Sequence, residues 1–296
     1  MFKGSLVALV TPFDADNRVD YGSLKRLIDF HVAEGSDGVV IAGTTGESPT
    51  LTRDEHVELV RRAVEYAAGR LPVLAGVGSN STAQSIDLAA AVAEPGLAAY
   101  MAVVPYYNKP TQEGQFRHFS AIADAVDKPL LLYNVPGRTV ADMLPDTVAR
   151  LAGHPNIFGI KEATGNLERL AEIRARVGDG FMLYSGDDFT SLPFIEQGGH
   201  GVVTVSGNVA PRRVAEMCRL ALAGESAEAK TIDDSLQPLN KALFIESNPI
   251  PVKWAVARMG LIEPYLRLPL TEYSEKYHDG MLAAMRTAGV ELENRS

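Results

Sequence analysis

The feature that most constrains this sequence is a regular alternation of eight short apolar segments with segments of helical character. The apolar segments lack a polar face, which is typical of parallel strands covered by helices on both sides. A helix-compatible segment of about one to one and a half dozen residues follows each of them. The predicted strands are Ser5–Phe13, Asp37–Ala42, Pro72–Val77, Ala98–Val104, Pro129–Val135, Ile157–Ala163, Phe181–Ser185 and Gly201–Ser206.

Eight such units favour a closed (β/α)8 barrel over an open, doubly wound sheet. An open sheet usually has fewer units and would carry a nucleotide-binding fingerprint, yet the sequence contains neither a G-x-G-x-x-G after the first strand nor a Walker motif. After residue 224 the pattern changes to helices only. We therefore predict a barrel over residues 1–224 and a C-terminal helical domain over 225–296. Helix N-caps are expected at Asp20, Thr52, Ser81, Asn166 and Asp188.

Composition excludes several classes of protein. The single cysteine, Cys218, rules out a disulfide framework within the chain and lies in an apolar helical segment, where we expect a core residue. We find no targeting or membrane-spanning segment and predict a cytoplasmic protein. A net charge of −9 argues against nucleic acid and anionic membranes as partners, but not against a small anionic substrate.

A metal site and a cofactor are not expected. The six histidines are scattered along the chain and form none of the ligand pairs that metal sites require. Tyr184-Ser-Gly-Asp-Asp offers two carboxylates, but a glycine turn leading to a helix cap explains it better. Carbonyl chemistry in this chain would therefore rely on an amine.

Lys161 is the most informative polar residue. Of the nine lysines, it alone interrupts a predicted buried strand. Lysine is almost never fully buried without a purpose, and an ammonium inside a closed barrel is desolvated, which lowers its pKa and frees the amine as a nucleophile toward a carbonyl. The alternative is a lysine that pairs with an inward carboxylate or lies at the exposed end of the strand.

Two residues on and after the preceding strand could assist that lysine. Tyr133 occupies a comparable level, and a phenol beside an amine can shuttle the protons of carbinolamine formation and dehydration. Arg138 follows in a loop where its guanidinium could bind a carboxylate with two hydrogen bonds. A core tyrosine and a solvated loop arginine are the alternatives.

Two further loops follow strands at the face where barrel enzymes place their active sites. Gly43-Thr-Thr-Gly-Glu-Ser-Pro offers free backbone amides and two hydroxyls that could hold a carboxylate, or a turn with a helix cap. Pro105-Tyr-Tyr-Asn-Lys-Pro presents adjacent tyrosines, which fit packing or an interface as well as catalysis.

Together, these segments resemble the dihydrodipicolinate synthase family of class I pyruvate-dependent lyases and aldolases. The resemblance covers essentially the whole chain and includes the segment Asn248-Pro-Ile-Pro-Val-Lys-Trp. Its specific marks are Gly43-Thr-Thr-Gly-Glu-Ser, Tyr106-Tyr-Asn-Lys-Pro, Tyr133-Asn-Val-Pro-Gly-Arg-Thr, Gly159-Ile-Lys-Glu-Ala-Thr-Gly and Ser185-Gly-Asp-Asp.

The resemblance implies a lyase that condenses pyruvate with L-aspartate 4-semialdehyde in the diaminopimelate route to lysine. Lys161 would form the imine with pyruvate, and Tyr133 would donate and accept protons. Thr44 and Tyr107 would complete a proton relay, with Tyr107 entering from the neighbouring subunit. The family also implies a homo-oligomer, namely a tight dimer that is commonly paired into a tetramer.

The same resemblance assigns the binding of both substrates. Thr45 and the adjacent amides would hold the carboxylate of pyruvate, helped by main-chain groups near Gly186 and Val203. Arg138 would bind the carboxylate of the semialdehyde at the mouth of the site.

A lysine feedback site of the family is matched only in part. Ser48, His56, Asn80 and Tyr106 agree with it. Pro49, Arg53 and Gln84 depart from the lysine-responsive bacterial pattern, which usually has a histidine and a glutamate at the last two positions. Gaining a guanidinium and losing a carboxylate both disfavour a cationic amino acid, so we predict weak or absent inhibition by lysine.

Three rival functions remain to be compared with this one. Sister lyases of the N-acetylneuraminate or 2-keto-3-deoxy sugar acid type share the lysine and the tyrosine, but Arg138 with Thr44 and Thr45 suits a short substrate that carries its own carboxylate. A non-enzymatic barrel that binds a keto acid would not need Lys161, Tyr133 and Thr44 together. A metal-dependent aldolase would need a histidine cluster.

Overall fold

Residues 2–292 are described by a computed structural model, in which eight parallel strands form a closed barrel. β1 hydrogen-bonds to β2 on one side and to β8 on the other, so the sheet closes on itself. The predicted (β/α)8 fold is confirmed. The strands are β1 (Gly4–Ala8), β2 (Gly38–Ile41), β3 (Val73–Gly76), β4 (Ala99–Val103), β5 (Leu130–Asn134), β6 (Ile157–Glu162), β7 (Met182–Ser185) and β8 (Gly201–Thr204).

Helices separate the strands, and three more follow the last barrel helix. Short 3-10 turns occur at Ser48–Thr50, Asp188–Thr190, Ser206–Asn208 and Glu275–Tyr277. The helices are α1 (Tyr21–Ala33), α2 (Arg53–Ala67), α3 (Thr82–Ala91), α4 (Gln112–Ala125), α5 (Pro136–Thr139), α6 (Pro145–Ala152), α7 (Leu167–Arg174), α8 (Ser191–Glu196), α9 (Pro211–Ala223), α10 (Ser226–Leu243), α11 (Ile250–Arg258) and α12 (His278–Thr287).

The first strand is shorter than predicted, because the chain leaves the sheet after Ala8. The N–H of Val10 donates to the side chain of Asn208 at 3.1 Å, and Pro12 has no N–H to offer a neighbouring strand. The prediction of a strand up to Phe13 is therefore wrong, although the apolar run stays buried. The other seven strands lie within the predicted segments.

Four of the five predicted N-caps are confirmed. Asp20, Thr52, Ser81 and Asn166 each accept a backbone N–H in the first turn of the helix that follows. The prediction for Asp188 is wrong, since its neighbour Asp187 makes the cap.

The carboxylate of Asp188 is buried and turned toward the next strand instead of the helix. It accepts hydrogen bonds from the hydroxyl of Thr204 and from the N–H of Val205, the latter at 2.8 Å. Burial raises the pKa of this carboxyl. Asp188 thus fixes the chain as it leaves β8.

Two apolar clusters build the core. One fills the barrel with inward side chains and contains both Tyr133 and Val203. The larger one lies between the strands and the surrounding helices and includes Cys218, which is fully buried in α9 as predicted. The barrel interior is therefore a packed core, and its polar groups collect at one end.

The C-terminal helices pack against the barrel. α9 ends at Ala223, and the backbone of Gly224 after it is left-handed. α10 starts at Ser226 and packs on α9 and α12. Residues 293–296 of the predicted helical domain lie outside the described residues.

A buried ion pair ties this extension to the loop after β2. Lys253 on α11 is fully buried, and its Nζ lies 2.7 Å from Oε1 of Glu47, whose side chain is also fully buried. The ammonium stands over the ring of Phe13, 4.2 Å from its centroid. Burial lowers the pKa of Lys253 to about 8, while the charge of Glu47 acts in the opposite direction.

We expect the substitution Lys253→Met to lower the free energy of unfolding by about 3–5 kcal/mol, because it leaves the Glu47 carboxylate buried without its cation. Lys230 is the matched control, since it forms an exposed ion pair with Asp234 and Lys230→Met should leave the free energy of unfolding almost unchanged. Urea unfolding at fixed pH and protein concentration measures both variants. Equal losses would contradict a special role for the buried pair.

Candidate active site

Lys161 and Tyr133 face each other across two neighbouring strands. The register of β5 and β6 pairs them directly, and the register of β6 and β7 places Tyr184 on the other side of Lys161. The Nζ of Lys161 lies 4.1 Å from the centroid of the Tyr133 ring. An amine and a phenol that could exchange protons with a bound carbonyl compound therefore lie side by side at the carboxyl end of the strands.

The surroundings of Lys161 differ from those of the other buried lysine. Only 5% of Lys161 is exposed, which excludes a position at the open end of the strand. Within residues 2–292, no carboxylate oxygen lies within 4.0 Å of its Nζ, whereas Lys253 has Glu47. Lys161 is therefore not neutralised by an inward carboxylate, which was the alternative interpretation.

Glu162, the residue after Lys161, joins β5 and β6 through a side-chain hydrogen bond. Glu162 is buried and accepts hydrogen bonds from the side chain of Asn134 at 3.0 Å and from the N–H of Thr164 at 2.8 Å. Burial raises the pKa of Glu162, and these hydrogen bonds act in the opposite direction. The amide of Asn134 also reaches Asp142 at 2.8 Å, so a polar network flanks the Lys161–Tyr133 pair. Sequence reasoning assigned no role to this network.

Gly186 leaves space for the Lys161 side chain. A Cβ at this position would lie 2.6 Å from the Cβ of Ala163 and 2.9 Å from Cε of Lys161. The N–H of Gly186 donates to the carbonyl of Glu162 at 2.7 Å, which holds the loop after β7 against β6. Val203 on β8 is buried in the barrel interior.

The loop after β2 presents two threonines with different surroundings. Thr44 is half-buried and lines a cavity above the barrel, whereas Thr45 is buried. The hydroxyl of Thr45 accepts a hydrogen bond from the side-chain amide of Asn248 at 3.0 Å. Glu47 has a positive φ of 54° and is held by Lys253, so the C-terminal extension contacts this loop at both Thr45 and Glu47.

Arg138 lies on the short helix α5 and lines the same cavity. Its side chain is exposed, and its Nη2 donates to the main-chain carbonyl of Asn248 at 3.3 Å. A guanidinium has five N–H donors, so this contact alone does not use up its capacity for an anionic ligand.

A cavity of about 930 Å³ is lined by Thr44 and Arg138 of the predicted active site and by most of the predicted lysine-site residues, whereas Lys161 and Tyr133 are not among its lining residues. We call the part lined by Thr44, Val103, Val135 and Arg138 the inner part of the cavity, and the part lined by the lysine-site residues the outer part. The predicted lysine-site residues at its outer part are Ser48, Pro49, Arg53, His56, Gln84 and Tyr106, whereas Asn80 is not among the lining residues.

Several side chains of the outer part of the cavity form hydrogen bonds or ion pairs with other residues of the protein. Arg53 forms an ion pair with Asp87, with 2.9 Å between Nε and Oδ2, and Gln84 accepts a hydrogen bond from the hydroxyl of Ser79 at 2.8 Å. His56 is buried, its Nε2 hydrogen-bonds to the carbonyl of Gly76 at 2.8 Å, and burial lowers its pKa. The carbonyl of Asn80 accepts from Asn108.

Tyr107 lies away from Lys161 in its own chain. It is 87% exposed and has a φ of 73°, a region that a non-glycine residue adopts at an energetic cost. Its neighbour Tyr106 is 40% exposed and lines the cavity. The loop after β4 therefore projects one aromatic ring outward.

Within residues 2–292, we find no group of three or more His, Cys, Asp or Glu side chains that could hold a metal ion. None of the helices in this part of the chain is both long and apolar enough to span a membrane.

Comparisons with known proteins agree with this geometry. The family model of the dihydrodipicolinate synthetase family matches residues 1–288. The chain belongs to this family. It is accordingly an enzyme, a lyase of the pyruvate-dependent aldolase type, and the resemblance predicted from the sequence is confirmed.

Individual relatives match over almost their full length. The 4-hydroxy-tetrahydrodipicolinate synthase of Azoarcus sp. is 57% identical, covering 98% of this chain and all of the relative. The crystal structure of dihydrodipicolinate synthase from Aquifex aeolicus matches 99% of this chain and all of that one with a TM-score of 0.96 at 45% identity. The Acinetobacter baumannii synthase, determined in complex with pyruvate, matches 98% of this chain and all of that one with a TM-score of 0.95 at 45% identity.

We expect Gly186→Ala to lower kcat/KM by roughly 100-fold with the fold intact, because the added methyl group must displace Lys161 or Ala163 and a shift of about 1 Å at a reacting group has an effect of that size. Gly178→Ala is the matched control, since a Cβ there meets nothing within 4 Å. Steady-state kinetics and circular dichroism of both variants check this. Full activity in Gly186→Ala would mean that the space beside Lys161 is not needed.

Proposed function

We propose that this protein condenses pyruvate with L-aspartate 4-semialdehyde, the 4-hydroxy-tetrahydrodipicolinate synthase reaction of the diaminopimelate route to lysine, in the cytoplasm. The observation that carries the proposal is a buried lysine without a carboxylate partner among residues 2–292, beside a tyrosine, at the end of the barrel where Thr44 and Arg138 line a cavity. This combination supports imine chemistry on a substrate that bears its own carboxylate.

The reaction begins with attack of the Lys161 amine on the keto carbon of pyruvate. The keto oxygen leaves as water, and the resulting protonated imine acts as an electron sink that makes the methyl group acidic. Loss of a methyl proton gives an enamine, which forms a carbon–carbon bond to the aldehyde of the semialdehyde. The amine of that substrate then attacks the imine carbon, closes the ring and releases Lys161.

Each of these steps moves a proton, and Tyr133 is placed to donate or accept it. Thr44 extends the path from the cavity, and Tyr107 completes it from the neighbouring subunit. The outward position of Tyr107 supports this last assignment, since an exposed ring is accessible to a neighbouring molecule. The proposal therefore includes a homo-oligomer, a tight dimer that pairs into a tetramer.

The carboxylates of the two substrates bind at different places. Thr45, the amides beside it and main-chain groups near Gly186 and Val203 hold pyruvate, while Arg138 holds the semialdehyde at the mouth. The helical domain of residues 225–296 completes this arrangement, since it supplies Asn248 and Lys253. A local set of donors thus receives anions on a chain whose net charge is −9.

Borohydride reduction in the presence of pyruvate should trap a covalent adduct on Lys161. The chain contains an internal control, because Lys253 is also buried but is neutralised by Glu47 and should remain unmodified. Peptide mass mapping locates the adduct, and Lys161→Arg should abolish it. An adduct on another lysine, or none, would overturn the mechanism.

A parallel assay of the untreated enzyme with aspartate semialdehyde and with sugar acids separates the proposed reaction from that of the sister lyases.

We expect L-lysine at low micromolar concentration to leave the activity unchanged. Arg53 places a guanidinium in the outer cavity, and Gln84 lacks the carboxylate that would attract a cationic amino acid. Titration of the activity with L-lysine measures this, and the double variant Arg53→His/Gln84→Glu should be more sensitive than the parent. Inhibition of the parent in the low micromolar range would contradict the expectation.

A further inference from the structure

We propose that Asn248 is a positioning residue that sets the hydrogen-bonding direction of the Thr45 hydroxyl and anchors Arg138. This inference rests on the proposed function, in which Thr45 and Arg138 receive the carboxylates of the two substrates. Asn248 belongs to the C-terminal extension, between α10 and α11, whereas its two partners belong to the loop after β2 and to α5.

Asn248 touches both carboxylate-binding groups at once. Its side-chain Nδ2 donates to the hydroxyl of Thr45 at 3.0 Å, and its main-chain carbonyl accepts from Nη2 of Arg138 at 3.3 Å. It is buried and lines the cavity. One residue therefore links the two halves of the substrate site, although 203 and 110 positions in sequence separate it from Thr45 and Arg138.

The chemistry of a hydroxyl explains what this contact does. A threonine hydroxyl has a single proton, and its oxygen here accepts the amide N–H, so that proton must point away from Asn248. A carboxylate accepts hydrogen bonds and donates none. The amide of Asn248 thus leaves Thr45 with its one donor available for the carboxylate of pyruvate.

The amide itself is oriented by Thr45. Within residues 2–292, the side-chain oxygen of Asn248 has no hydrogen-bond partner, although it is buried. A buried polar atom without a partner costs free energy, so the contact of Nδ2 with Thr45 is the one side-chain hydrogen bond within residues 2–292 that holds this amide. The ion pair between Lys253 and Glu47 holds the same loop two residues beyond Thr45.

The test compares Asn248→Ala and Asn248→Asp with the parent enzyme in steady-state kinetics for both substrates. Asn248→Ala should raise the KM for pyruvate roughly tenfold, which corresponds to one hydrogen bond to a charged group. Asn248→Asp, which has the same shape, should raise it further, because its carboxylate takes the Thr45 proton. The KM for the semialdehyde and kcat should change no more than about threefold, since the carbonyl that holds Arg138 is main chain and remains.

A double-variant cycle with Thr45→Val shows whether Asn248 acts through Thr45. We expect Asn248→Ala/Thr45→Val to bind pyruvate no worse than Thr45→Val alone. Additive effects would overturn the inference, as would an equal rise in both KM values together with a lower melting temperature. If Asn248→Ala does not fold, Asn248→Asp alone tests the inference. An unchanged KM for pyruvate in Asn248→Asp would overturn it. If Thr45→Val leaves the KM for pyruvate unchanged, the assignment of Thr45 within the proposed function fails instead.

Discussion

The site depends on one constraint, the closure of eight parallel strands into one barrel. Because the strands run the same way, their carboxyl ends meet at one face, and residues far apart in sequence become neighbours there. The register pairs Tyr133 with Lys161 and Lys161 with Tyr184. A shift of one residue in β6 would turn Lys161 out of the barrel, because successive side chains of a strand point to opposite faces. The polar contacts of Glu162 with Asn134 and of Asp188 with the end of β8 hold neighbouring strands at this end.

The sequence predicted the fold and the position of Lys161 for a clear physical reason. Strand and helix patterns are local, and a lysine in an otherwise apolar strand is a conflict that can be seen within a few residues. The end of β1 was missed because the apolar run from Leu9 to Phe13 stays buried after it leaves the sheet, and burial alone does not distinguish a strand from a packed loop.

The contacts of the C-terminal extension could not be read from the sequence in the same way. Lys253 is more deeply buried than Lys161, yet its partner Glu47 is 206 positions away, and helical spacing alone does not indicate such a pair. The apolar neighbours on both sides of Lys253 were a signal that could have been used. From the sequence, Asn248 was only one residue of a segment that resembles the family. Its hydrogen bonds to Thr45 and Arg138 form only in the folded chain, so the sequence did not indicate them.

The continuity of the cavity has a consequence for ligands that are larger than either substrate. Its inner part offers the guanidinium of Arg138, and its outer part offers Arg53, Asp87 and Gln84, with no wall of described residues between them. A molecule that joins one fragment for each part with a short linker would bind the second fragment at a high effective concentration. Such a compound would contact the Arg53–Asp87 ion pair and Arg138 at the same time.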